Sequence, residues 1–108
     1  MGLKASRVGS TRLREVLVSG VPARTRLFSA KALPEKSFIF SVIVAKKTTP
    51  NAADRNRIRR RCREAFRRCE GSAPSVALVV TARPDAGKAP FPTIVDEAAE
   101  LLGCYSKK

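Results

Sequence analysis

The chain has 108 residues and a formal net charge of +13, with 22 lysines and arginines against 9 aspartates and glutamates. That length fits one compact domain with a thin core, so residues 1–108 read as a single unit. Self-repulsion at this charge opposes folding unless a polyanion relieves it, and no apolar stretch approaches the roughly 20 residues needed to span a bilayer. Met1–Arg7 has no apolar run behind its basic residues, which argues against a signal peptide. Cys62, Cys69 and Cys104 are odd in number and accompanied by no histidine, so a zinc site is disfavoured. They read as reduced thiols of a cytoplasmic protein.

In chain order, residues 8–19 carry Val8, Leu13, Val16 and Leu17. This predicts a short helix capped by Ser10 or Thr11 and stopped at Gly20-Val21-Pro22. Residues 24–33 alternate loosely and predict a strand, closed by a turn at Pro34-Glu35-Lys36. Residues 37–45 are β-branched and aromatic on both alternating faces, which predicts a central strand covered on both sides. Lys46-Lys47 and a polar loop follow.

A long helix is predicted from Ala52 to Cys69, ended by residues 70–74. Residues 76–81 predict a further buried strand, residues 82–87 a loop, and Ile94 to Gly103 a last helix. Residues 1–7 and 105–108 are expected to be mobile. The order α-β-β-α-β-α predicts an α/β domain of the α+β sandwich kind, a mixed sheet with helices packed on it.

The long helix concentrates the charge. Eight of the fourteen arginines fall between Arg55 and Arg68. At about 100° per residue, Ile58, Cys62, Ala65, Phe66 and Cys69 share one arc that can dock on the sheet. Arg55, Arg59, Arg63 and Arg67 form a like-charged i,i+4 row, a pattern that costs a few tenths of a kcal/mol per pair in isolation. An external anion would neutralise that row. Arginine binds phosphate bidentately and stacks on bases. The narrow apolar arc lacks the bulky face of a membrane-surface helix. Nucleic acid is therefore the favoured partner.

A protein-borne nuclease is hard to assemble without histidine. Asp96, Glu97 and Glu100 fit a solvated helix face, and Cys62, on the buried arc, fits a core thiol. Asn56 could serve a helix-start hydrogen bond or, beside two arginines, contact RNA or a hydrated metal. Lys46 and Lys47 stand where strand gives way to loop, a common place for functional groups.

The run Val42-Ile43-Val44-Ala45-Lys46-Lys47, seven loop residues, and Arg55-Asn56-Arg57-Ile58-Arg59-Arg60-Arg61-Cys62-Arg63-Glu64-Ala65-Phe66-Arg67 resembles the signature of the bacterial ribonuclease P protein subunit. Weaker similarity extends to Val16, Gly20, Phe28 and residues 77–84. The resemblance implies an α-β-β-β-α-β-α order, a mixed sheet of about four strands and a left-handed β-α-β crossover.

It also implies a function. The family's protein pairs with a large catalytic RNA, which removes the 5′ leader of precursor tRNA by Mg²⁺-dependent hydrolysis. The chain is then the non-catalytic protein subunit of an RNA-based endoribonuclease. Mg²⁺ is held mainly by RNA and substrate, with no membrane and no small-molecule substrate involved. The implied RNA-binding residues are Lys46, Lys47, Arg55, Asn56, Arg57, Arg59, Arg60, Arg63 and Arg67. The leader would lie in a cleft between the first helix and the sheet, near Arg12, Leu13, Leu17, Arg24, Arg26, Phe28 and Lys31.

Departures from the family pattern fall in that cleft. Leu13 and Leu17 replace phenylalanines, Lys31 an aromatic, and Ala45 a serine or threonine. Leucine supplies no π-face for a base, so Leu13→Phe is expected to tighten leader binding. The alternative function is a general basic module, of ribosomal or chromatin type, that binds RNA or DNA through phosphates alone. The two separate on selectivity for precursor over mature tRNA.

Overall fold

The computed structural model describes residues 8–47 and 49–105. Its elements are α1 (Ser10–Ser19), β1 (Val21–Arg24), β2 (Phe28–Pro34), β3 (Ile39–Ile43), α2 (Ala52–Arg68), β4 (Val76–Ala82) and α3 (Phe91–Gly103). Short 3₁₀ turns lie at Glu70–Ser72 and Pro84–Gly87. The strands form one sheet in the order β1-β2-β4-β3. β1 and β2 are antiparallel, as are β2 and β4, while β3 and β4 run parallel and are joined through α2.

Alternation within the strands sends side chains to two different cores. Phe28, Ala30, Ala32, Phe40, Val42, Leu78, Val80 and Ala82 meet α2 and α3 on one face. Ala77 and Val79, with Leu33, Ile39 and Ile43, meet Val8, Leu13 and Val16 on the other. The result is three layers, with α1 opposite α2 and α3. On the larger side Phe66 of α2 packs edge-on against Phe28 at 5.2 Å between ring centroids and lies 5.8 Å from Phe40.

Several expectations change. Residues 24–33 are not one strand but a hairpin. Thr25 N–H donates to the Phe28 carbonyl at 2.8 Å, and Phe28 N–H donates to Thr25 Oγ1 at 3.3 Å. Leu27 N–H reaches across to Glu97 Oε1 at 3.2 Å. These bonds satisfy a buried turn, and adjacent Leu27 and Phe28 are both fully buried. α1 does stop before Gly20-Val21-Pro22, as expected, and Pro22 itself sits in edge strand β1, where a missing N–H is tolerated.

β3 is an edge strand, not a central one; β2 and β4 hold the centre. Its two apolar faces are explained by helices above and below, which cover an edge strand as readily as a central one. The cap of α1 is Gly9 with no side-chain bond, not Ser10 or Thr11. α3 begins at Phe91, three residues earlier than expected, with Pro90 at the N-cap and Pro92 in the first turn, where no amide is required.

Gly20 permits the sharp return from α1 into β1. A Cβ there would collide with the Val16 carbonyl oxygen and come within 3.0 Å of the Ala32 amide nitrogen. The expected mobility of residues 1–7 and 106–108 lies outside the described residues. Tyr105, grouped with that tail, is instead half-buried and donates its hydroxyl to the Val21 carbonyl at 2.7 Å. Burial pushes its phenol up to about 12.

Candidate nucleic-acid interface

α2 starts at Asn51, whose Oδ1 accepts from Ala53 N–H at 2.8 Å and Asp54 N–H at 3.2 Å. Asp54 in the first turn and Arg67 and Arg68 in the last turn oppose the helix dipole. Ile58, Cys62, Ala65 and Phe66 are buried against the sheet, and Cys69 is half-buried. The apolar arc is thus where the sequence predicted it. Burial pushes the Cys62 thiol up to about 11 against a slight opposing effect of Arg61. At neutral pH it is a protonated core thiol.

The arginine row is less bare than the sequence suggested. Arg55 donates to the carbonyls of Thr49 and Pro50 at 3.1 and 2.9 Å. Arg59 donates to Asn56 Oδ1 at 2.6 Å, and Arg67 pairs with Glu64 at 3.2 Å. Local acceptors therefore share the task assigned to an external anion. Arg61 donates to the Ala89 carbonyl, and Arg68 lies over the Phe91 ring at 5.0 Å.

Exposed ion pairs of this kind are weak and do not consume the cations. Arg57 contacts Asp54 only at 3.8 Å. Arg60 has no partner among the described residues. Both are exposed. Asn56, which is exposed, spends its oxygen on Arg59, which leaves its amide N–H groups as donors. Arg59 and Arg63 also line a cavity of about 280 Å³ with Ser41 and Val42, where α2 passes the outer edge of β3.

The opposite face of the sheet carries the second concave region. Rows of paired residues cross it from strand to strand: Leu33, Ala77 and Ile39; then Pro22, Lys31, Val79 and Ser41; then Arg24, Ser29, Thr81 and Ile43. α1 covers the apolar positions of these rows and leaves the polar end open. A cavity of about 270 Å³ lies there between Leu17, Pro22, Arg24, Ser29, Lys31, Val79 and Thr81. A second, of about 400 Å³, shares Ser29 and Thr81 and extends to Ala45, Lys47, Arg83 and Pro84. Together they form one groove with cations towards both ends.

Of the cleft residues expected from sequence, Leu17, Arg24 and Lys31 line this groove. Lys31 also donates to the Leu17 carbonyl at 2.8 Å, closing the end of α1. The others lie elsewhere. Phe28 is fully buried against Phe66 on the far side of the sheet, one residue out of phase with Ser29. Leu13 is partly buried and packs against the core under α1.

Arg12 is held by Glu15 at 2.8 Å, Glu35 at 3.0 Å and the Pro34 carbonyl at 2.7 Å. The Glu15 hydrogen bond is the leading cause of its raised pKa. Arg26 faces a different cavity with Asp85 and Lys88. Sequence reasoning missed Ser29, Thr81 and Arg83. The signal available was Thr81 interrupting an otherwise apolar strand. Lys46 and Lys47 are exposed beyond β3.

No group of three or more His, Cys, Asp or Glu residues that could hold a metal occurs among the described residues. No described helix is long and apolar enough to cross a membrane.

The fold is shared with solved proteins. The Staphylococcus aureus RNase P protein superposes with a TM-score of 0.80 at 24% identity, covering 95% of this chain and 97% of that one. The Thermotoga maritima RNase P protein gives 0.82 at 22% identity, covering 94% and 99%. A ribonuclease P protein component from Thermus brockianus is 34% identical over 86 residues, 80% of this chain. That match spans about half the length of the Thermus protein, 51%. The family model Ribonuclease P matches residues 8–106, and the chain therefore belongs to the ribonuclease P protein family.

Proposed function

We propose that this chain is the protein subunit of a ribonuclease P ribonucleoprotein, which removes the 5′ leader from precursor tRNA. The observation that carries this is the pairing of an arginine-faced helix with a separate cation-ended groove on one small domain. A general basic module requires only the first. Lys46, Lys47, Asn56 and the outward arginines of α2, led by Arg57 and Arg60, grip the phosphates of the large RNA. The groove holds the single-stranded leader.

The RNA carries the chemistry. Histidine is absent from the sequence, and the buried, protonated Cys62 is a poor nucleophile. Mg²⁺ is assigned to the RNA and the substrate, as the family resemblance implies. The protein's part is to raise affinity for precursor over mature tRNA and to support Mg²⁺ binding by drawing the RNA and leader together. A cytoplasmic location follows from that substrate.

The test adds the full chain to a bacterial ribonuclease P RNA at low Mg²⁺ and follows precursor-tRNA cleavage. RNA alone should fail and the protein should rescue it, with precursor bound more tightly than mature tRNA. Equal affinity for both, without rescue, would return the chain to the class of general basic binders.

A further inference from the structure

The groove has a floor of unusual composition for a single-strand binder. Its two cavities contain no phenylalanine or tyrosine among their lining residues, so no ring is available for base stacking. What they share is Ser29 and Thr81, Cα partners on the neighbouring strands β2 and β4. Both are half-buried, and no described residue engages either hydroxyl.

The cations flank this pair. Arg24 and Lys31 stand on one side, Lys47 and Arg83 on the other. Phosphates of a polynucleotide go to such cations. A strand anchored at both ends carries its intervening sugar across the Ser29–Thr81 pair. A serine or threonine hydroxyl both donates and accepts. The ribose 2′-hydroxyl does the same, and it is the group by which a protein tells RNA from DNA at a given position.

We propose that Ser29 and Thr81 hydrogen-bond the 2′-hydroxyl of a leader nucleotide, so that the groove selects an RNA leader over a DNA one. This rests on the assignment of the groove to the leader. Recognition then falls on the sugar and is indifferent to the base above it.

The experiment uses the full chain bound to ribonuclease P RNA. Precursor tRNAs carry a leader that is either all-ribose or 2′-deoxy throughout, and their dissociation constants are compared. The wild-type complex should bind the deoxy leader about fivefold more weakly, the worth of one neutral hydrogen bond. Ser29→Ala/Thr81→Val should bind both leaders alike, while Thr81→Ser, which keeps the hydroxyl, should retain the ratio. Unaltered affinity of each variant for the RNA subunit alone checks that it folds.

Arg24→Ala/Arg83→Ala, one cation from each end of the groove, should weaken both leaders equally. A ratio of one in the wild type, a ratio that survives in the double hydroxyl variant, or a preference that follows the base would overturn the sugar assignment. If Arg24→Ala/Arg83→Ala also leaves both affinities unchanged, the placement of the leader in the groove falls instead.

Discussion

The two cationic faces of this domain are built by different means. On α2, one contiguous stretch supplies nearly every cation, and helical periodicity alone separates the buried arc from the charged one. Across the sheet, the groove draws Leu17 from α1, Arg24 from β1, Ser29 and Lys31 from β2, Thr81 from β4 and Lys47 from beyond β3. The helix is a dense charge source with little shape. The groove has fewer charges, but its walls and floor are defined. Dense charge and defined shape thus lie on opposite layers of one thin sheet.

The strongest way to break the comparison is to undo the packing both faces depend on. Phe66 is fully buried between Phe28 and Phe40. Phe66→Ala should cost about 3–5 kcal/mol, a large share of a small domain's stability. Urea unfolding would show it, and binding on both faces should fall together. Loss confined to one face would mean that the layers are less coupled than their shared core implies.

Next in size is the helix alone. Arg57→Ala/Arg60→Ala removes two exposed cations of α2 and should lower the salt slope of RNA-subunit binding by close to two units, somewhat less than one per phosphate contact. Leader discrimination, expressed as precursor over mature tRNA, should persist. An unchanged slope would move the RNA contact off this face.

Alkali provides a third separation. The Cys62 thiol is pushed up from 9.0 to about 11 by burial. Below pH 9 both folded and unfolded chains hold the proton, and the full stability is present. Between pH 9 and 11 the unfolded chain releases it first, so stability should fall by about 2–3 kcal/mol. Cys62→Ala should remove that component of the pH dependence, although its cavity lowers stability at every pH. A slope that survives the substitution would assign the alkaline loss to other groups, Tyr105 first among them.

The smallest expected effect sharpens the groove. Leu17 is 38% exposed on its wall. Leu17→Phe should add a stacking face worth about 1 kcal/mol, or roughly fivefold tighter leader binding. Leu13→Phe, expected from sequence to do this, should instead overpack the core under α1 at a cost of about 1–3 kcal/mol. Titration with leader-bearing and leaderless tRNA distinguishes the two. Tighter binding by Leu13→Phe would show that α1 sits differently.

The helix was legible because everything that defines it is local. The arc of Ile58, Cys62, Ala65 and Phe66 follows from spacing, and the Arg55-Asn56-Arg57 run with Glu64 and Phe66 is compact enough to carry a family resemblance. What spacing could not supply were the acceptors outside the helix, the Thr49, Pro50 and Ala89 carbonyls that occupy Arg55 and Arg61. The cleft was legible only in part. The family resemblance points Phe28 to the cleft. The hairpin at Thr25 puts Phe28 into the core and brings its neighbour Ser29 to the groove.

By itself the sequence determined the charge, the amphipathic helix and the presence of strands, since these depend on composition and on periods of a few residues. The tertiary structure decided which strand lay at the edge, how the polar ends of three strands aligned, and which of the predicted cations shared a groove. Those outcomes depend on register between segments up to some fifty residues apart in the chain. A shift of one residue sends every side chain of a strand to the other face.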